Sequence, residues 1–172
     1  FSNTIRQISQ NSLQMFAKNL LSENSIIISI LIIKRFIMNT AICLHNATVL
    51  TGFSVMENCA VYIKNNRIAD VFSERRFLQK QFNPKVKIIN ANGAYIAPGF
   101  IDTHIHGIGG YGTDDYKADS ILEMSEILAR YGVTSFIPTL YAAPEKEMTR
   151  GIKAIVKAMG HEKGAHILGM HL

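Results

Sequence analysis

Cysteine is scarce in this chain. Cys43 and Cys59 are the only two among 172 residues, sixteen positions apart, with no CxxC pair and no partner cluster. Nothing here resembles a disulfide framework or a cysteine-built zinc module, so two reduced, packed thiols and a reducing, cytoplasmic compartment are expected. An apolar run long enough to cross a bilayer is also missing. The Ile-rich stretch Ser25–Ile33 extends for nine residues before Lys34 and Arg35, against the roughly 20 that a spanning helix needs; no stable membrane span is expected. Charge is sparse too. Asp, Glu, Lys and Arg make up 18% of the chain and apolar types 48%, a composition that can build a core and does not describe a disordered protein. The net charge of +5 is concentrated at the start, where Arg6, Lys18, Lys34 and Arg35 stand against Glu23 and give residues 1–37 a net of +3. No stripe of Lys and Arg interleaved with aromatics follows, and no nucleic-acid partner is expected.

Residues 1–37 read as a leader or upstream extension without a fixed fold, and Met38 as the natural start, because an ordered pattern begins directly after it. Residues 38–97 hold short strands punctuated by turns: 41–49, 59–63, 67–72, 85–89 and 95–97, with a helix or loop over 73–81. Asn65-Asn66 between two of these runs is a hairpin signal. The pattern predicts a small β module, the first part of a β-sandwich. After Pro98 the rhythm changes. A strand over 99–106 is followed by helical spacing over 119–131, with Asp119 or Ser120 as cap and Gly132 as stop. Then come a β-branched strand over 133–137, a helix over 144–159 with Pro144 in its first turn, and a strand over 166–171. The order β-α-β-α-β predicts parallel strands.

The first of these strands ends in His104-Ile-His106. Residues i and i+2 on a strand point to one side, about 6.6 Å apart at Cα, a spacing from which two imidazoles can converge on one cation at about 2.0–2.1 Å. Their place at the C-terminal end of a strand that opens a βα series is where a barrel carries its active site. Gly107, Gly109, Gly110 and Gly112 then let the backbone turn sharply beside a ligand. Taken alone, HxH also describes two exposed polar residues before a loop. Asp102 shares the His104 face and reads as a hydrogen-bond partner that orients the strand or its loop. His171 reads first as packed or solvent-facing, with a place in the pocket as the alternative; His166 flanks the same strand, His161 lies in a solvated link, and His45 has no role.

The stretch Pro98-Gly-Phe-Ile-Asp-Thr-His-Ile-His106 resembles the metal-binding opening of the amidohydrolase superfamily. Three further stretches, Gly107-Ile-Gly-Gly-Tyr-Gly-Thr-Asp-Asp115, Gly132-Val-Thr-Ser-Phe-Ile-Pro-Thr-Leu140 and Ile167-Leu-Gly-Met-His-Leu172, are similar to the branch that acts on N-acetylated amino-sugar phosphates. The likeness covers about residues 40–172. It implies an α/β fold: part of a small β-sandwich (38–97), then the start of a (β/α)8 barrel (98–172) with about three of eight βα units. It implies His104 and His106 as ligands of one or two divalent ions, zinc in the first place, with iron, manganese or cobalt as alternatives. It also implies hydrolytic removal of an acetyl group from a small amino-sugar phosphate, in a homo-oligomeric parent. A cyclic amidase like dihydroorotase, a purine aminohydrolase and a non-catalytic fragment remain the competing readings. In the family the next metal ligand is a Glu following the sequence that resembles Gly169-Met-His-Leu172, and the catalytic Asp comes later still. No catalytic acid or base is therefore assigned, the substrate-binding residues are unknown, and the 172-residue polypeptide alone is expected to be inactive. An acetate-release assay with excess Zn²⁺ on the isolated chain checks this, and robust turnover would overturn it.

Overall fold

A computed structural model of the chain describes residues 41–172; the expectations for residues 1–37 lie outside the described residues. Those described divide into two compact units, 41–97 and 98–172.

The first unit contains β1 (Ile42–Leu50), β2 (Val55–Lys64), β3 (Arg67–Ser73), helix α1 (Glu74–Gln79), β4 (Lys87–Asn90) and β5 (Tyr95–Ile96). They form one five-stranded mixed sheet in the order β3-β2-β1-β4, with β5 also on β1. The β2–β3 connection is a two-residue turn in which Asn65 and Asn66 both take positive φ, 53° and 58°, the hairpin geometry whose twist matches the strands. Strand β1 is central, and Ile42, Cys43 and Leu44 are all buried. Ser73 caps α1, its hydroxyl accepting from the Arg76 N–H. Glu74 accepts hydrogen bonds from the His45 ring at 2.7 Å and from the Asn46 N–H at 2.8 Å. The two cysteines are free and buried, as expected. Burial, and then the nearby Glu74 carboxylate, push the Cys43 thiol up to about 11 and raise Cys59 as well.

The second unit contains β6 (Phe100–Ile105), a small hairpin of β7 (Gly107–Ile108) and β8 (Tyr111–Gly112), a 3₁₀ turn (Thr113–Asp115), α2 (Ala118–Arg130), β9 (Val133–Pro138), α3 (Glu145–Ala158) and β10 (His166–Ile167). Strands β10, β9 and β6 lie side by side in that order, and both pairings are parallel, as the alternation of strands and helices predicts. Ile121, Met124 and Leu128 repeat at helical spacing along α2 and bury their side chains with Val133, Phe136 and Leu140 of the β9 segment, Ile155 and Ala158 of α3, and Ile167. Fully burying each such side chain is worth roughly 1.5–3 kcal/mol.

Two polar groups inside this unit lock the connections. Ser125 in α2 donates its hydroxyl to the Ala165 carbonyl at 2.8 Å and accepts the Gly164 N–H at 3.2 Å, so the segment entering β10 is stitched to the helix. A Cβ at Gly164 would collide with the Ser125 carbonyl. Thr113 is 1% exposed; its hydroxyl lies 2.7 Å from the Thr139 carbonyl and 3.2 Å from that of His106, and its own N–H donates to His106 at 2.8 Å.

Several boundaries differ from the sequence expectation; the strand read over 59–63, for one, runs from Val55 to Lys64. Helix α2 starts at Ala118, with Lys117 at its N-cap and no side-chain cap, rather than being capped by Asp119 or Ser120. Ser120 already lies inside the first turn, where its hydroxyl is engaged by Asp115; that bond is the main cause of Asp115 being held below its usual carboxylate range. Pro144 sits just before α3 instead of inside it. The strand expected over 166–171 is regular only at His166–Ile167; the chain leaves the ladder around Gly169 and returns to it at His171, which bridges Thr139.

Two outcomes follow from this packing. Thr113→Val is expected to cost about 1–3 kcal/mol, the range for a buried hydrogen bond lost from a satisfied network, while Thr113→Ser keeps most of the stability; denaturant midpoints of the two variants decide this. Because the raised cysteines stay neutral near pH 8, both should react with a thiolate-seeking reagent far more slowly in the folded chain than after unfolding, which the labelling rates in the two states measure.

Candidate metal centre

His104 and His106 lie at the end of β6, the first on the strand and the second one residue past it. Their rings are neighbours, with centroids 5.1 Å apart and planes at 81°, as side chains two residues apart on one face require. The backbone around them is held from three directions. Asp102 accepts the His104 N–H at 3.1 Å, the orienting role read for it from the sequence. The Thr139 N–H donates to the Ile105 carbonyl at 2.8 Å, and the Thr113 N–H to that of His106. Burial raises the pKa of Asp102 against the opposing effect of the His104 N–H. After His106 the chain enters the β7–β8 hairpin, whose turn residues Gly109 and Gly110 both have positive φ, 64° and 87°. The glycines thus serve the sharp turn that their clustering suggested.

Two further residues join the pair. The His106 ring stacks on Tyr141, centroids 3.9 Å apart and planes at 14°. The His171 ring meets His104 with its Nδ1 2.9 Å from the His104 Nδ1. His171 is exposed, in keeping with its first reading, yet it also belongs to this site. Tyr141 gave no signal in the sequence, since a lone Tyr after a strand has no pattern; His171 had the signal of ending a strand parallel to the one that carries His104. The other histidines lie elsewhere. His45 bonds Glu74 in the first unit, His161 is exposed and donates to the Met159 carbonyl, and His166 opens β10.

Among the described residues, no group of three or more His, Cys, Asp or Glu is arranged to hold a metal ion. His104 and His106 fit such an ion as two donors. The Nδ1 of His106 is buried, and that of His104 faces His171. Imidazole nitrogen suits zinc and other borderline divalent ions.

The model of the amidohydrolase family matches residues 95–172. N-acetylglucosamine-6-phosphate deacetylase of Mus musculus is 32% identical over 136 residues, which cover 74% of this chain and 31% of the relative. The enzyme of the same name from Bacillus subtilis (strain 168) is 31% identical over 142 residues, covering 78% of this chain and 34% of the relative. The chain thus spans about a third of the length of the curated relatives it matches. The crystal structure of N-acetylglucosamine-6-phosphate deacetylase from Pasteurella multocida superposes with a TM-score of 0.62 over 74% of this chain and 34% of that one, at 21% identity, a likeness of fold. Residues 95–172 thus match the amidohydrolase family.

Proposed function

We propose that this chain is part of a metal-dependent deacetylase that hydrolyses the N-acetyl group of N-acetylglucosamine 6-phosphate to glucosamine 6-phosphate and acetate. The observation that carries the proposal is the meeting of the His104 and His106 rings at the C-terminal end of a strand that opens a parallel βαβαβ series. That edge is where open and closed parallel α/β folds place their chemistry. The relatives that share this segment bear the name of that activity in animals and bacteria alike.

In this reading residues 98–172 form the first βα units of a (β/α)8 barrel, and residues 38–97 belong to a flanking β-sandwich. The exposure of Phe100 and Ile101 on β6, 47% and 60%, supports it: such apolar groups on an edge strand call for further strands and helices to cover them. The reading carries with it a cytoplasmic, homo-oligomeric parent and a small phosphorylated amino sugar as partner. Among the described residues no helix is long and apolar enough to cross a membrane.

His104 and His106 would hold a divalent ion, zinc in the first place. When bound, such an ion supplies Lewis acidity toward a carbonyl and lowers the pKa of water. The protein's own contribution is placement. The Asp102 carboxylate fixes the His104 backbone, Tyr141 restrains the His106 ring by stacking, and Thr113 ties the loop after His106 to the end of β9.

The natural protein purified at its full length and supplied with Zn²⁺ should release acetate from N-acetylglucosamine 6-phosphate and leave dihydroorotate and guanine untouched. His104→Ala and His106→Ala should each lower kcat/KM by at least about a hundredfold, beyond what loss of a supporting group around a metal usually costs. Hydrolysis of either competing substrate, or alanine variants that retain full activity, would reject the proposal.

A further inference from the structure

His104 and His171 are 67 residues apart in sequence, yet their Nδ1 atoms lie 2.9 Å from each other. The strand pairing explains how. His104 belongs to β6 and His171 to the extension of β10, and both flank the β9 segment. Strands that share one neighbour stand about 9–10 Å apart, too far for small side chains to touch and within reach of two imidazoles leaning toward each other. Neither residue is free to move off. The His171 N–H donates to Pro138 at 3.0 Å and its carbonyl accepts from Leu140 at 2.9 Å, while the His104 N–H is taken by Asp102. The rings meet edge to face, 4.8 Å apart at 76°.

Two ring nitrogens at this distance need one proton between them; two bare lone pairs would repel. In a neutral imidazole one nitrogen donates and the other accepts. If the proton lies on the Nδ1 of His104, its Nε2 keeps a lone pair. If it lies on the Nδ1 of His171, the Nδ1 of His104 is the acceptor and its Nε2 carries hydrogen, which leaves that nitrogen no lone pair for an ion. We infer that His171 is a positioning residue for His104: it accepts the Nδ1–H and so holds the ring in the tautomer, and at the angle, that leaves Nε2 available to a divalent ion. The inference rests on the metal reading above and adds to it a residue that neither the HxH motif nor the ring pair on β6 contains. Partners of this sort, which accept the second N–H of a ligating histidine, set both tautomer and basicity.

The experiment uses the chain labelled with ¹⁵N-histidine and long-range ¹H–¹⁵N spectra near pH 8, above the usual imidazole titration. His104→Asn identifies the His104 signals. The native chain should show His104 protonated at Nδ1 and bare at Nε2. His171→Leu, at an exposed position, should move His104 toward the Nε2–H form and weaken Zn²⁺ binding about 10- to 100-fold. His171→Asn, whose amide oxygen lies near the place of the lost Nδ1, should restore both. An unchanged His104 tautomer in His171→Leu, or a native His104 protonated at Nε2, overturns the inference, and so does an Asn variant that behaves like Leu. If the natural protein at its full length takes up no Zn²⁺ at all, the metal reading of His104 and His106 falls, while the tautomer comparison still decides whether His171 positions His104.

Discussion

Parallel pairing is the constraint on which this site depends. Strands that run in one direction bring their C-terminal ends to one edge, and the connections between them must return along a face. Here β6, β9 and the β10 segment deliver His104 and His106, Tyr141, and His171 to that common edge from positions spread over 67 residues. No local feature of the chain gathers these side chains. The ladder does, and the two helices that return between strands are held by the apolar stripe of α2 meeting β9.

The ladder also explains why the unit contains buried polar groups. The connecting segments before β10 and after β6 cannot pair as strands, so their backbone groups need other partners if they are to be taken out of water. Ser125 serves the first and Thr113 the second, each hydroxyl engaging main-chain carbonyls or amides of segments far away in sequence. Thr113 has a particular consequence for function: it links the loop that leaves His106 to the residue that follows β9, so the position of the HxH end is tied to the central strand and not only to its own.

Much of this was legible in the residues. The β-branched runs, the helical spacing at Ile121, Leu122, Met124, Ile127 and Leu128, and the glycine stops at Gly132 and Gly160 marked the elements to within a few residues, because each is a local preference. The pair His104 and His106 was legible for the same reason, since its geometry depends only on strand periodicity. The start of α2 was misread because Ser120 and Asp119 look like caps in isolation, whereas Asp115 engages the Ser120 hydroxyl from outside the helix. The last strand was read too long because its pairing is interrupted at Gly169-Met170, and interruption is decided by the neighbouring strand.

By itself, the sequence determined the order of strands and helices, the reduced state of its two buried cysteines and the two imidazoles on one strand face. All of these follow from short-range periodicity and residue chemistry. Only the tertiary structure decided that His171 meets His104, that Tyr141 stacks on His106, and that Thr113 holds the loop between them. Those contacts are set by which strand lies beside which and in what register, and register is fixed by burial across the whole sheet rather than by any run of neighbouring residues.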